Sequence, residues 1–465
     1  MTHELPEIAA PNETARPNGD RLGRRQMLGL TAAAMGALLL PGCGSDGDSA
    51  GGSTATDGGG DAGPADAAGT IKIGYVTPRT GQLAEFGAAD AFVLEQMRAH
   101  FAGGLEIDGE TFAVEIYDRD SESNTTVAAL VTQELILEDG VDLMLVNSTP
   151  ETTVPVVQQC TNSEIPVLSN NAPWQPHYLS IGGDLAAAEP PVASPYNYHF
   201  FWGAEDLISV YIAMWDQVAP GAVVGAMWPD DVDGNAFSDP NAGFPPVIEG
   251  AGYTLVDPGR FDLASQDFSS QINAFKDAGV EILVGVLPPP VFGNFWAQCQ
   301  QQGFTPKVVS MAKATEFPGA IDSFDNPEGL CVEMWWSDRH PTASTVTGQS
   351  SAELAAAWEE ATGTQWSMSL GYGHSLFEVA IDAITRAGGS ADRQALLDAM
   401  GETVLDTVVG TVDFTNSVVP HVTKTPLIGG QWVAGDGDWP YELAIRTTEQ
   451  LPSLEVDGPM VAIEL

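Results

Sequence analysis

The sequence predicts an α/β protein made of two doubly wound, parallel-rich lobes, and three observations carry that expectation. Residues 71–101 read as strand, Gly-containing loop and helix, the opening unit of such a sheet. At 465 residues the chain exceeds one typical hydrophobic core. Buried-type strands alternating with helical patterns then return between residues 222 and 287, as an independent second lobe requires.

In order, residues 71–76 form a short apolar run that Pro78 and Gly81 break. From Gly87 a helical pattern follows, with Ala91, Leu94, Met97 and Phe101 at intervals of three, three and four. Ligands of open α/β sheets sit beyond the carboxyl ends of the strands, so the loop 77–86 lies where a small molecule docks. No GxGxxG follows the strand and no phosphate-type Gly-Lys-Ser/Thr occurs, which disfavours a dinucleotide. Residues 112–117 are the second strand. Asn124 caps a helix striped by Val127, Leu130, Val131 and Leu135, and Gly140 stops it. The third strand, 141–146, ends in the hydroxyl-rich turn 147–153. Its Ser148, Thr149 and helix-start N–H groups can hold a carboxylate, or the hydroxyls can simply cap the helix. The fourth strand, 165–168, opens into 170–176, where Trp174 between two prolines is either a rigid ligand wall or a cover for the core.

The chain carries 63 acidic against 17 basic residues, a formal charge of −46. Such a surface repels nucleic acid and anionic lipid headgroups, so neither is expected as a partner. Acid excess with scarce Lys also has the look of halophile proteins, in which high salt screens the self-repulsion. Residues 1–43 read as a targeting segment. Gly23-Arg24-Arg25-Gln26-Met27-Leu28 resembles a twin-arginine signal and is followed by an apolar stretch, 28–40, too short for a lasting span. Leu40-Pro41-Gly42-Cys43 resembles a lipobox with Cys43 as the lipid attachment. Residues 44–69, rich in Gly, Ser, Ala and Asp, read as a disordered tether. The expectation is export by the twin-arginine route and anchoring to the outer face of the cytoplasmic membrane. Beyond Cys43 only Cys160, Cys299 and Cys331 remain. None is spaced as CxxC, so structural zinc is not expected, and Cys299 with Cys331 is the better pair for a bridge.

Residues 71–87 (IKIGYVTPRTGQLAEFG), 115–146 (EIYDRDSESNTTVAALVTQELILEDGVDLMLV) and 164–174 (EIPVLSNNAPW) resemble extracytoplasmic solute-binding proteins of ABC importers. The type is the branched-chain amino acid and amide type, leucine-binding-protein-like. The likeness continues through 227–237 (MWPDDVDGNAF), 266–286 (QDFSSQINAFKDAGVEILVGV) and 371–384 (GYGHSLFEVAIDAI). It covers most of residues 70–415 and rests on order and spacing rather than on any single motif. The resemblance implies a type I periplasmic binding protein: two Rossmann-like lobes joined by three crossovers, with a solvent-filled gap that shuts on ligand. Lobe one is then 70–200 plus 334–409, and lobe two 201–333 plus 410–465. The second half agrees, with strands at 222–227, 253–256 and 281–287, a helix at 268–278, and crossings at 198–202, 331–336 and 411–414. Helices at 352–361, 372–387 and 393–400 return to lobe one. Short strands at 431–433 and 441–445 belong to lobe two.

The resemblance also implies a site. Phe86 matches an aromatic that stacks on ligand, Ser148, Thr149 and Thr152 fall in the hydroxyl turn, and Asn171 and Ala172 follow the fourth strand. Pro173 stands where a Thr is common, and Leu287-Pro288-Pro289-Pro290 replaces an expected Tyr. The acid that pairs with a ligand ammonium belongs within 311–316, yet Lys313 or Ala314 falls nearer the matching position than Glu316. A lysine there repels an ammonium and suits a ligand carboxylate. Aromatic walls are expected from Phe86, Trp174, Trp202, Trp228 and Tyr372, while at most one of Trp335 and Trp336 can face the gap. No GxSxG, HExxH or Cys-Gly-Ser-Cys occurs, the seven His lack metal-ligand spacing, and Asp118 with Asp120 reads as a solvated loop. Neither catalysis nor a cofactor or metal is therefore expected. The reading is a monomeric, lipid-anchored binding protein. It captures an amino acid, amide or related carboxylate and delivers it to ABC permease and ATPase subunits. A ligand-sensing receptor is the alternative.

Overall fold

Apolar runs ending at Gly or Pro become strands, and stretches with one apolar face become helices. In the computed structural model, which describes residues 64, 66–389 and 391–464, the first are β1 (Gly69–Thr77), α1 (Asp90–His100), β2 (Leu105–Ile107) and β3 (Glu110–Asp120). Next come α2 (Thr125–Glu134), β4 (Leu143–Asn147), α3 (Pro150–Asn162), β5 (Val167–Asn170), α4 (Trp174–Ser180) and β6 (Asn197–Phe200). The proposed signal, Cys43 and all but the last residues of the tether lie outside the described residues. Asn124 caps α2 as expected, its side chain accepting from the N–H groups of Thr126 and Val127. Gly140 ends the following turn at φ 67°, the left-handed region that glycine enters without strain.

After β6 the chain crosses to a second sheet. There it forms α5 (Ala204–Val218), β7 (Val223–Met227), α6 (Val232–Phe237), α7 (Phe244–Gly250), β8 (Thr254–Val256) and α8 (Ser269–Ala278). β9 (Ile282–Val286), α9 (Pro289–Gln301), β10 (Val308–Ala312), α10 (Pro318–Ile321) and β11 (Cys331–Met334) complete that stretch. The chain then returns through α11 (Ser351–Thr362), α12 (Met368–Arg386) and α13 (Arg393–Gly401) to the hairpin β12 (Val404–Thr407) and β13 (Gly410–Asp413). β14 (Val422–Thr423) pairs with β6 in the first sheet, and β15 (Ile428–Ala434) and β16 (Tyr441–Thr447) finish the second.

Among the described residues each sheet has seven strands, ordered β14-β6-β5-β4-β1-β3-β2 and β16-β15-β11-β10-β9-β7-β8. β2 runs against the other strands of the first sheet and β15 against the others of the second. β4, β9 and β10 are buried along their whole length, the mark of parallel strands covered by helices on both faces. The fold is thus the α/β, two-lobed, three-crossover architecture expected.

Two details differ from expectation, and a third, helix α9, was not anticipated. Residues 411–414 do not make the third crossing, because 410–413 belong to the hairpin and β14 still pairs in the first sheet; the chain crosses between β14 and β15. A two-residue strand carries too little pattern to be read from sequence. Helix α9 begins among the prolines 288–290, which stop a helix but also suit its first turn. Cys299 and Cys331 form no bridge. All three described cysteines are buried free thiols on separate elements, and burial pushes Cys331 up to about 12.

The second crossing packs tightly. Trp336, just past β11, lies against Gly371 of α12, where an added Cβ would come within 2.4 Å of the indole. Gly371→Ala is therefore expected to destabilise the protein by about 1–3 kcal/mol through overpacking. Urea unfolding reads this directly, and an unchanged midpoint would mean the ring can move aside.

Candidate functional site

The carboxyl ends of the central strands in both sheets meet at one seam. Phe86 follows β1, Thr149 follows β4, Asn171 follows β5, and Phe201 and Trp202 follow β6. From the other sheet come Asp233 and Phe237 on α6, Val286 at the end of β9, and Lys313 and Glu316 beyond β10. Together they line a cavity of only about 20 Å³. That is room for roughly one water. The expected open gap is instead shut: Phe86 meets Phe317 edge-on at 4.7 Å, and Phe201 packs on Tyr372 at 4.9 Å. A larger solute enters only if the lobes or these rings part.

The lobes are also joined by charge. Lys313 Nζ lies 3.0 Å from Glu151 Oε1 on α3 of the first lobe and 2.6 Å from Asp233 Oδ2 on α6 of the second. Asp231, which caps α6 by accepting from the Gly234 N–H at 2.7 Å, adds its field. Burial opposes the charge on Lys313, yet Asp233, Glu151 and Asp231 outweigh it and hold its pKa well above the usual lysine value. Burial pushes Asp233 up to about 7; Lys313 pulls it down, while Glu151 and Asp231 add to the rise. Burial likewise opposes ionisation of Glu151, but Lys313 and the Thr149 hydroxyl hold its pKa below the usual range. The sequence expectation of a free lysine that repels an ammonium is therefore corrected: one ammonium stands among three carboxyl groups.

Several polar atoms of the seam have no protein partner. Asn171 is 2% exposed, sits at φ 59°, and leaves both its amide nitrogen and its oxygen unpaired. Trp202 Nε1 and Asp233 Oδ1 are likewise buried and unpaired. The loop holding Asn171 is fixed from behind. His199 Nε2 donates to the Ala172 carbonyl at 2.8 Å and its Nδ1 accepts from Ser169 at 2.8 Å. His177 stacks on that ring at 4.0 Å and bonds Asn197 at 2.8 Å. Burial pushes His177 down to about 4 and His199 well below the usual value, so both rings stay neutral. Buried polar groups normally find partners, so unpaired ones on a rigid loop mark a place built to receive something.

Of the residues expected from sequence, Phe86, Thr149, Asn171, Trp202 and Lys313 line this seam. The others do not. Ser148 and Thr152 bond each other at 2.5 Å, and Ala172 offers its carbonyl to His199. Trp174 opens α4, donates to Glu205 at 3.1 Å and packs on Tyr178. Trp228 is wholly buried against Phe244, and Tyr372 lies beneath Phe201 with its hydroxyl on Thr425. Trp335 and Trp336 are both fully buried. Ring direction decides these cases, and it depends on packing that no local pattern encodes. Asp233, Phe201, Phe237 and Glu316 line the seam without having been singled out as site residues. The run Asp230-Asp231-Val232-Asp233 directly after β7, at a strand's carboxyl end, was the available signal.

The family model described as "Periplasmic binding protein" matches residues 70–436. Among curated proteins none matches the chain. Solved structures of the same fold include an ABC-transporter solute-binding protein from Rhodopseudomonas palustris BisB5 in complex with 3,4-dihydroxybenzoic acid. It has 19% identity and a TM-score of 0.64, and the match covers 83% of this chain and 99% of that one. The leucine-binding protein LivK of Thermotoga maritima has 18% identity and a TM-score of 0.61, covering 81% and 98%. The branched-chain amino acid binding protein LivJ of Streptococcus pneumoniae, in complex with isoleucine, has 18% identity and a TM-score of 0.62, covering 81% and 99%.

Proposed function

The chain belongs to the periplasmic binding protein family, and from that premise we propose that it captures a small polar solute between its lobes and delivers it to an ABC permease. The observation that carries this reading is the seam itself: unpaired buried Asn171 and Trp202 atoms on one lobe face Asp233 of the other across a small cavity. Each lobe contributes part of the site, so a solute binds the shut form better and shifts the population toward it. Glu151 to Lys313 is an ion pair that can form only when the lobes meet. The permease would read that shut form. Export by the twin-arginine route and anchoring through Cys43 complete the proposal, on the strength of residues 23–43 alone.

A thermal-shift and small-angle scattering screen of amino acids, amides, amines and aromatic acids in high salt tests this. A captured solute raises the melting temperature by a few degrees, since saturating ligand at about 100 times Kd adds roughly 2.7 kcal/mol. It also makes the particle more compact and is recovered unchanged. Chemical turnover of a bound solute, or no protection by any class, would overturn the proposal.

A further inference from the structure

The start of α3 is where a solute carboxylate would find donors, and the chain has already filled it. Glu151, in the first turn of this 13-residue helix, accepts from the Thr149 hydroxyl and from Lys313 Nζ at 3.0 Å. The Ser148 hydroxyl is engaged with Thr152, and Thr153 Oγ1 donates to the Ser148 carbonyl at 2.7 Å. Lys313 is spent on Glu151 and Asp233. Among the described residues a carboxylate entering here would meet no free cation, and it would approach Asp233 with Glu151 and Asp231 close to the same Lys313.

What remains free favours the opposite charge. Asp233 Oδ1 and Asn171 Oδ1, on two residues that line the cavity, are buried acceptors without a donor. Phe86, Phe201, Trp202 and Phe237 line the same cavity, and aromatic rings are a setting in which an organic cation is held by cation–π attraction. The second, independent observation is Asn171 together with Trp202: both are more than nine-tenths buried, both line the cavity, and both carry unpaired polar atoms. Their free N–H groups suit a neutral carbonyl or hydroxyl on the same solute. We infer that the site takes a small solute bearing an ammonium group and no carboxylate, with Glu151 standing internally where a solute carboxylate would otherwise sit. This inference rests on the solute-binding reading above.

Calorimetry on the full chain with matched probes decides it. Phenethylamine, phenylalanine and 3-phenylpropionate form one set; isoamylamine, leucine and 4-methylpentanoate form another. In at least one set the amine should bind ten times tighter than the amino acid and the acid. Glu151→Gln frees Lys313 and the helix start, and should shift the preference at least tenfold toward the carboxylate-bearing probes. If that variant does not fold, Asp233→Asn serves: the amine should lose about tenfold while the acid does not. An amino acid or acid that binds the unaltered protein more tightly than its amine overturns the inference and leaves solute capture standing. Silence from both sets overturns the inference, and solute capture falls only if the broader screen is silent too.

Discussion

Lys313→Met is expected to cost about 3–5 kcal/mol, because it strips the counter-charge from a buried carboxylate rather than removing a surface pair. Asp233 is fully buried 2.6 Å from Lys313 Nζ, and Glu151 reaches the same atom from the other lobe at 3.0 Å. Without the ammonium, three carboxyl groups repel one another across the seam. Part of the loss falls on the contact between lobes, which loses its Glu151 pair. The effect depends on pH in a set direction. The folded pKa of Asp233, about 7, lies above its ordinary value of 3.8. The stability linked to this group is therefore fully present below that ordinary value and is lost as pH rises through 7. Removing Lys313 raises the folded pKa further, so the variant should be less impaired at pH 6 than at pH 8. Urea unfolding and calorimetry at both pH values read this, with Lys313→Arg as the charge-keeping control. No impairment would mean the ion pair carries no weight, and equal impairment at both would mean that Asp233 does not set the pH dependence.

Asn171→Gly should move stability and affinity in opposite directions. Asn171 holds φ 59° and buries two unpaired amide atoms. Glycine adopts that backbone freely and brings no polar group, so the solute-free protein should gain about 1 kcal/mol after the extra entropy of the unfolded chain is counted. The same change removes a donor and an acceptor from the cavity, and solute affinity should fall about tenfold to a hundredfold. A melting temperature that rises while affinity falls is the signature of a group kept for binding at the expense of stability. A fall in both would make Asn171 a structural residue supporting the His199 loop.

The further carboxyl groups near the seam follow the same physics. Glu316 Oε1 accepts the Lys313 N–H at 2.9 Å, and burial with the neighbouring charge of Glu333 pushes Glu316 well above the usual range. Tyr211 donates to Glu333 from α5. These groups lie behind Lys313 and brace the turn that holds it at φ 67°. The turn is strained for a lysine, and its hydrogen bonds offset that strain.

The amino-acid order alone determined the central strands of the first sheet, several of the helices and the strand ends of that sheet where a solute docks. Apolar runs such as 141–146, the Asn124 cap and the Gly140 stop act through the backbone of a few neighbouring residues, and such effects are present in any window that contains them. That is why Phe86, Thr149 and Asn171, in the loops that follow predicted strands, lie on one seam with Trp202 and Lys313. Only the tertiary structure decided what those residues meet. Lys313 is paired with Glu151, 162 positions away, and with Asp233 on another helix, and this turned an apparently cationic site into an acidic one. The indoles of Trp174, Trp228, Trp335 and Trp336 turned into packing rather than the cavity, and two cysteines expected to join stayed apart. Charge pairing and ring direction are set by distances between residues remote in sequence, and those distances exist only once the two sheets have come together.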